Sequence, residues 1–268
     1  MPVSKIKSDE IKNKIKDLSC GLLATAIDFT LFEFFLDFNL IMAEGHGSRG
    51  VSKAIDKTMD EVLACGIDKE AIKKALWKAG HRGFIKRNSE NKNLVQITEQ
   101  GLTRLRHLLP LYQNKRIWDK HLYLITYDIP EKDSGKRQLL RESLKQLDCG
   151  MLQASVWLTP YNPKKILKDL VLQYHIPGSI IVSDLGKEGS IGEEDLDDLV
   201  SRVYDLNGLN ERYRGFIYEL KSDRLNKAQA YLKYLSILKN DPQLPFEILP
   251  YSWLGDKTYQ YLQEKFPS

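Results

Sequence analysis

One acidic side chain stands where a catalytic or metal-binding carboxylate would be placed. Asp128 ends the apolar run HLYLITYD, and Glu131 and Asp133 follow shortly after it. Carboxylate oxygens at the end of a buried strand are suitable ligands for Mg²⁺. A structural role is the alternative, because such a carboxylate accepts backbone hydrogen bonds in a turn or pairs with Arg137 or Arg141 on the next helix. We favour the structural role and expect no catalytic residue, no bound metal and no cofactor.

A run of positive charge near the N-terminus points to a different chemistry. From Lys69 to Arg87 the chain has seven basic residues and one acidic residue. A solvated helix usually mixes both signs, whereas residues that neutralise phosphates are lysines and arginines. A charged solvent-facing helix is the alternative interpretation. The candidate nucleic-acid contacts are Lys69, Lys73, Lys74, Trp77, Lys78, Arg82, Lys86, Arg87 and Lys92.

The distribution of charge along the chain supports a polyanionic partner. The net charge is +4 at pH 7. Residues 1–116 contain 20 Lys and Arg against 14 Asp and Glu, whereas residues 117–194 and 195–268 each contain 10 against 11. The whole excess therefore lies in the first part of the chain, which is the part expected to meet the polyanion.

The helix that carries the basic run is predicted from its apolar spacing. Ile72, Ala75, Leu76 and Ala79 fall at i, i+3, i+4 and i+7, which places them on one face, and Gly80 is expected to close the helix. The lysines and the tryptophan of the same segment fall on the opposite face.

The neighbouring elements have the order of a winged helix-turn-helix. They are predicted as helices over residues 15–36 and 53–64, the basic helix after Asp68, strands over 84–87 and 94–97 joined by the polar turn NSENKN, and a helix over 99–109. Thr98 is expected to cap the last of these helices. In such a domain the second helix enters the major groove, so the fold order and the charge agree.

The middle of the chain alternates between strands and helices. Strands are predicted over residues 121–128, 151–159 and 179–183, with one helix capped by Ser134 and another opened by Asn162 and Pro163. This order is typical of a small ferredoxin-like α/β sandwich.

The last part of the chain is predicted to be helical, over residues 194–204, 209–221 and 225–238 and in a short final helix. We therefore expect an α+β protein with three domains. These are a winged helix DNA-binding domain (1–116), a ferredoxin-like domain (117–185) and a helical C-terminal domain (186–268).

Other classes of site find little support. The loop GKEGSIG precedes an acidic helix start, which would repel phosphate, so we interpret it as a linker. The five histidines show no zinc-ligand spacing, and no GxSxG motif is present. No apolar run is long enough to span a bilayer, and the first residues do not resemble a secretory signal. The three cysteines form no motif, so we expect reduced thiols and a cytoplasmic location.

The middle segment resembles a known family. The stretch HLYLITYDIPEKDSGKRQLLRESLKQLDCGMLQASVWLTP is similar to the central domain of the PaaX family, bacterial repressors of phenylacetate degradation. A tryptophan precedes the strand in that family, as Trp118 does here, and the SVWxxP run recurs. The stretches RVYDLNGLNERYRGF and DPQLPFEILPYSWLG also resemble the C-terminal part of that family.

The resemblance implies a homodimeric transcriptional repressor that binds double-stranded DNA through an N-terminal reader. It also implies an effector of the aryl-acyl-coenzyme A class that releases the DNA. The same middle domain resembles the small CRISPR-associated adaptation proteins, in some of which the aspartate at the strand end binds a metal for nuclease activity. That position is Asp128 here. A metal-dependent nuclease is therefore the alternative function, and an interaction scaffold is a third.

Overall fold

The structure, a computed structural model, describes residues 13, 15, 17, 19, 23, 25, 27–32, 69–87, 95–185 and 195–266. The chain divides into two compact units. The first combines residues 1–111, 212–240 and 254–268, and the second combines residues 112–211 and 241–253. The division into three domains stays a prediction. The predicted helix over 53–64, Asp68, the turn NSENKN and the loop GKEGSIG lie outside the described residues.

The first unit contains helices and one small antiparallel sheet. Its elements are α1 (Lys69–His81), β1 (Ile85–Arg87), β2 (Val95–Ile97), α2 (Glu99–Leu108), most of α6 (Leu206–Lys221), α7 (Lys227–Leu238) and α8 (Gly255–Lys265). In the sheet Ile85 lies opposite Ile97. The helix–strand–strand–helix order expected for residues 69–109 is confirmed.

The single helix expected over residues 15–36 is wrong. Residues 13, 15, 17 and 27–32 are helical, but Leu23 and Thr25 are not. The Thr25 hydroxyl accepts a hydrogen bond from the Asp28 N–H at 3.2 Å, which is the arrangement of an N-cap. The Ser19 hydroxyl accepts another from the Leu23 N–H at 3.0 Å. These side-chain bonds end one helix and begin the next.

The core of the first unit joins residues that are far apart in sequence. Phe29, Phe32 and Ile72 are almost fully buried and belong to the same cluster as Ala228 and Leu232 of α7. Helix α7 near the C-terminus therefore shares the core on which α1 packs, and burial of this apolar surface stabilises both segments together.

The second unit is built on a four-stranded antiparallel sheet. Its elements are β3 (Tyr123–Asp128), α3 (Ser134–Gln146), β4 (Gly150–Gln153), β5 (Val156–Thr159), α4 (Lys164–Tyr174), β6 (Ser179–Asp184) and α5 (Leu196–Val203). The spatial order β4-β5-β3-β6 is that of a ferredoxin-like sandwich. Short 3-10 turns occupy Glu131–Asp133 and Phe246–Ile248. No described helix is both long and apolar enough to cross a membrane.

The single strand predicted over residues 151–159 is wrong, because this segment is a hairpin. Strands β4 and β5 pair antiparallel across a turn at Ala154 and Ser155. The turn lacks the glycine or asparagine that usually marks a two-residue hairpin, so the sequence pattern did not reveal it. The Tyr127 hydroxyl donates a hydrogen bond to the Ala154 carbonyl at 2.7 Å, which fixes the turn from the neighbouring strand.

Helices α3 and α4 of the second unit cover one face of this sheet. Leu140, Leu144 and Leu167 pack with Ile125 and Trp157 in one buried cluster. Ser134 is the first residue of α3 and not its cap, and the preceding Asp133 makes no side-chain capping bond either. The 3-10 turn runs directly into α3, which leaves no extended residue that could act as an N-cap.

Candidate nucleic-acid interface

Helix α1 separates apolar and basic side chains as the sequence predicted. Ile72, Ala75 and Ala79 are buried at 1%, 3% and 0% exposure, and Leu76 packs beside them. The opposite face consists of exposed side chains, namely Glu70, Lys73, Lys74, Trp77 and Lys78. Because the core holds one face, the orientation of the basic face is fixed by packing.

The end of α1 differs slightly from the prediction. The helix continues through Gly80 to His81, and Gly83, at φ +71°, closes it. The Phe84 N–H donates to the Ala79 carbonyl at 2.9 Å, and the Gly83 N–H donates to the Gly80 carbonyl at 3.0 Å. This is a Schellman closure, in which glycine provides the left-handed backbone.

The lysines of α1 differ in their partners. Lys73 Nζ lies 2.9 Å from Glu70 Oε1, and both side chains are more than half exposed. Lys74, Lys78, Arg82 and Lys86 make no ion pair with any residue that the structure describes. These four cations are therefore available to bind an external anion. Lys73 can bind one only after its ion pair with Glu70 breaks.

Trp77 is the most unusual residue on this face. It is 66% exposed, although burial of an indole is strongly favourable. Its ring stacks on His81 with the centroids 4.8 Å apart and an interplanar angle of 16°. Both rings border a depression of about 500 Å³ that is also lined by Lys73, Lys86 and Ile85. The depression thus combines an aromatic surface with two cations.

The hairpin continues the basic surface from α1. Lys86 is exposed on β1 and lies opposite Gln96 of β2. The backbones of Lys69 and Arg87 lie at the start of α1 and the end of β1, and Lys92 lies outside the described residues. Among the predicted contacts whose side chains are described, the structure brings Lys73, Trp77 and Lys86 together around one depression.

Helix α2 holds the hairpin in place. The Thr98 hydroxyl accepts from the Gly101 N–H at 3.2 Å, so the predicted cap is confirmed, and it donates to the Gly83 carbonyl. At Gly101 an added Cβ would lie 2.3 Å from the Phe84 carbonyl oxygen, so only glycine permits this approach of helix and strand.

A buried ion pair, which the sequence analysis missed, braces the same unit. Arg104 Nε lies 2.6 Å from Asp28 Oδ1, and the Thr25 hydroxyl donates to Asp28 Oδ2 at 2.6 Å. The Asp28 side chain is only 2% exposed, and the Arg104 guanidinium also lies 5.3 Å from the centroid of the Phe84 ring. No sequence pattern indicates this pair, because its partners are 76 residues apart.

Asp128 stands alone at the end of β3. Its side chain is exposed and makes no hydrogen bond or ion pair within the described part of the chain. The structural role favoured for Asp128 is wrong in both of its forms within the described residues. Among those residues the carboxylate accepts no backbone hydrogen bond in the turn, and it does not pair with Arg137 or Arg141, because Arg137 donates to the Ile129 carbonyl at 2.8 Å and Arg141 lies 4.0 Å from the Met151 sulfur. The backbone at Gly178 passes close to the backbone at Asp128. A Cβ at Gly178 would lie 2.1 Å from the Asp128 carbonyl oxygen, so this approach requires glycine.

The surroundings of Asp128 do not form a metal centre in the part of the chain that the structure describes. Glu131 and Asp133 lie in the following 3-10 turn, and no three histidine, cysteine or acidic side chains come together there as metal ligands.

Cys149 is buried and free, and burial raises the pKa of its thiol to about 11.

Comparison with known proteins supports the interpretation of the second unit. A solved structure, the uncharacterized protein Rv0674 from Mycobacterium tuberculosis, superimposes with a TM-score of 0.51 at 18% identity over 75% of this chain and 81% of that chain. At this identity the likeness concerns the fold alone. No curated protein matches the chain. Residues 115–196 match the family model described as the PaaX protein central Cas2-like domain, which confirms the resemblance to the PaaX family.

Proposed function

We propose that the protein is a transcriptional regulator that binds double-stranded DNA as a homodimer through the exposed face of α1. The observation that carries this proposal is the orientation of α1. Its apolar face is buried, and its free cations Lys74 and Lys78 point away from the core together with Trp77. A helix held in this way can be inserted into a groove, where lysines neutralise phosphates.

Similarity to the PaaX central domain supports a regulator in preference to an enzyme. On this proposal the second unit provides assembly and control, and a small effector of the acyl-coenzyme A class releases the DNA. A cytoplasmic location follows from a role on the chromosome.

Paired charge variants test the contribution of α1. In the proposed homodimer Lys74→Gln/Lys78→Gln removes four phosphate contacts, two from each protomer. The slope of log K against log salt should therefore flatten by about 3.6, since each lost phosphate contact removes about 0.9. The control is Lys164→Gln/Lys168→Gln, which removes two exposed lysines with the same i, i+4 spacing on α4. The DNA is the region upstream of the protein's own gene. An unchanged slope in a folded α1 variant would contradict the proposal.

A metal-dependent nuclease is the second candidate, because Asp128 is exposed at a strand end of a domain that resembles a Cas2-like one. Phosphodiester cleavage usually needs several metal ligands, and each chain would supply one well-placed carboxylate. We therefore rank this function below the regulator.

A further inference from the structure

Strand β6 forms one edge of the four-stranded sheet. Within the part of the chain that the structure describes, it pairs only with β3, over the whole length Ser179–Asp184. Its other side therefore carries a row of backbone groups that a further strand could bind.

The hydrogen-bond pattern identifies these groups. The Leu185 N–H donates to the Leu122 carbonyl at 2.8 Å. Since bonded pairs alternate along an antiparallel ladder, Ser179, Ile181 and Ser183 direct their N–H and C=O groups toward β3. Ile180 and Val182 direct theirs toward the open side, where no described residue bonds them.

Most of this edge lacks the features that usually prevent strand pairing, and the only charged residue of β6 is Asp184 at its end. Residues 179–183 (SIIVS) include no charge and no proline. Ile181 is 57% exposed on the face of the sheet opposite the core that contains Ile180 and Val182. An exposed apolar edge of this length favours association with another strand.

We propose that β6 pairs with β6 of a second copy of this chain, antiparallel, about a twofold axis at Ile181. This register places Ile181 opposite Ile181 and Ser179 opposite Ser183, so that like residues meet. Ile180 and Val182 then exchange main-chain hydrogen bonds on both sides of the axis, which satisfies the open groups. The two sheets become one continuous sheet of eight strands.

The charges at the ends of the strand are compatible with this register. Asp184 lies opposite Gly178 and not opposite another acid. Its carboxylate is already 2.6 Å from the His121 imidazole of the same chain. The pairing names the interface of the homodimer in the proposed function and rests on that part of it, but its tests do not involve DNA.

Disulfide crosslinking tests the register. Opposed residues at a non-bonded antiparallel position have Cα atoms about 4.5 Å apart, which suits a disulfide. Ile181→Cys, in a background of Cys20→Ser and Cys65→Ser, should give a crosslinked dimer under mild oxidation. Ser179→Cys and Ser183→Cys should each fail alone and crosslink when the two proteins are mixed. A dimer that forms none of these crosslinks would overturn the proposal.

Light scattering of charge variants tests the surface itself. Ile181→Lys places two like charges at the axis, so the dimer dissociation constant should rise by at least about tenfold. Because Ile181 is exposed, the monomer should keep its melting temperature. The control is Ile166→Lys, at a residue of α4 that is 49% exposed, and it should leave the dimer intact. A dimer as stable in Ile181→Lys as in the unmodified protein would contradict the β6 pairing alone, whereas a monomeric unmodified protein would contradict the proposed homodimer as well.

Discussion

At the scale of single residues, the buried pair of Asp28 and Arg104 has the clearest energetic consequence. Asp28→Ala removes the carboxylate that holds Arg104 and the Thr25 hydroxyl, and breaking a buried pair costs several kcal/mol. Because Arg104 is partly exposed, we expect a loss of about 2–3 kcal/mol in the free energy of unfolding by urea. The matched control is Glu99→Ala, whose pair with Arg106 is exposed and should cost less than about 0.5 kcal/mol. Equal losses in the two variants would contradict this account.

Cys149 should be unreactive in the folded protein. Burial raises the pKa of its thiol to about 11, so the thiol stays protonated at pH 8. The stability that this group contributes is complete below the unfolded pKa of about 8.5 and is lost as the pH rises toward 11. We expect iodoacetamide at pH 8 to label Cys149 only in urea, as measured by peptide mass spectrometry. Rapid labelling of the folded protein would show that the thiol is accessible.

Asp128 should be dispensable for folding. Its carboxylate has no side-chain partner among the described residues, so Asp128→Ala should change the melting temperature by less than about 2 °C. The same variant tests the nuclease. Incubation of the unmodified protein with single- and double-stranded DNA and RNA in Mg²⁺ or Mn²⁺ should give no cleavage. Metal-dependent cleavage that the variant loses would instead promote the nuclease over the regulator.

At the scale of elements, the contact of α2 with β1 depends on one glycine. Gly101→Ala would bring a Cβ to 2.3 Å from the Phe84 carbonyl, and such overpacking typically costs about 1–3 kcal/mol. The control is Gly135→Ala on α3, where nothing lies within 4 Å and alanine should stabilise the helix by about 0.5–1 kcal/mol. Thermal unfolding distinguishes the two changes by their opposite signs. A neutral Gly101→Ala would show that helix and strand separate easily.

Local patterns predicted some elements and not others. The apolar face of α1 and the Thr98 cap were predictable, because spacing and capping act within a few residues. The hairpin at Ala154 was not predictable, because a contact from the neighbouring strand holds its turn. The break in the helix before Thr25 was not predictable either, because it depends on the hydrogen bond of a single hydroxyl. For the candidate site, the run of basic residues was enough to predict that the lysines of α1 are exposed. Which of these lysines form ion pairs could not be predicted, because ion pairs depend on side-chain conformations that the sequence pattern does not specify.

At the scale of the whole molecule, sequence order and spatial grouping differ. Residues 1–111 group with residues 212–240 and 254–268, because Ala228 and Leu232 of α7 belong to the core beneath α1. Long-range packing of this kind leaves no local signal in the sequence. We expect that deletion of residues 227–268 would expose this core and unfold α1, measured as loss of amide-exchange protection in residues 69–81. Full protection in the truncated chain would contradict a shared core.

A photo-crosslink can show whether the exposed face of α1 contacts DNA. A benzoylphenylalanine at position 77 replaces an indole that is 66% exposed between the lysines of α1. The same group at position 166 of α4 is the control. Irradiation with DNA from upstream of the protein's own gene should give a protein–DNA adduct from position 77 and none from position 166. A variant that still shifts this DNA but forms no adduct from position 77 would show that another surface binds it.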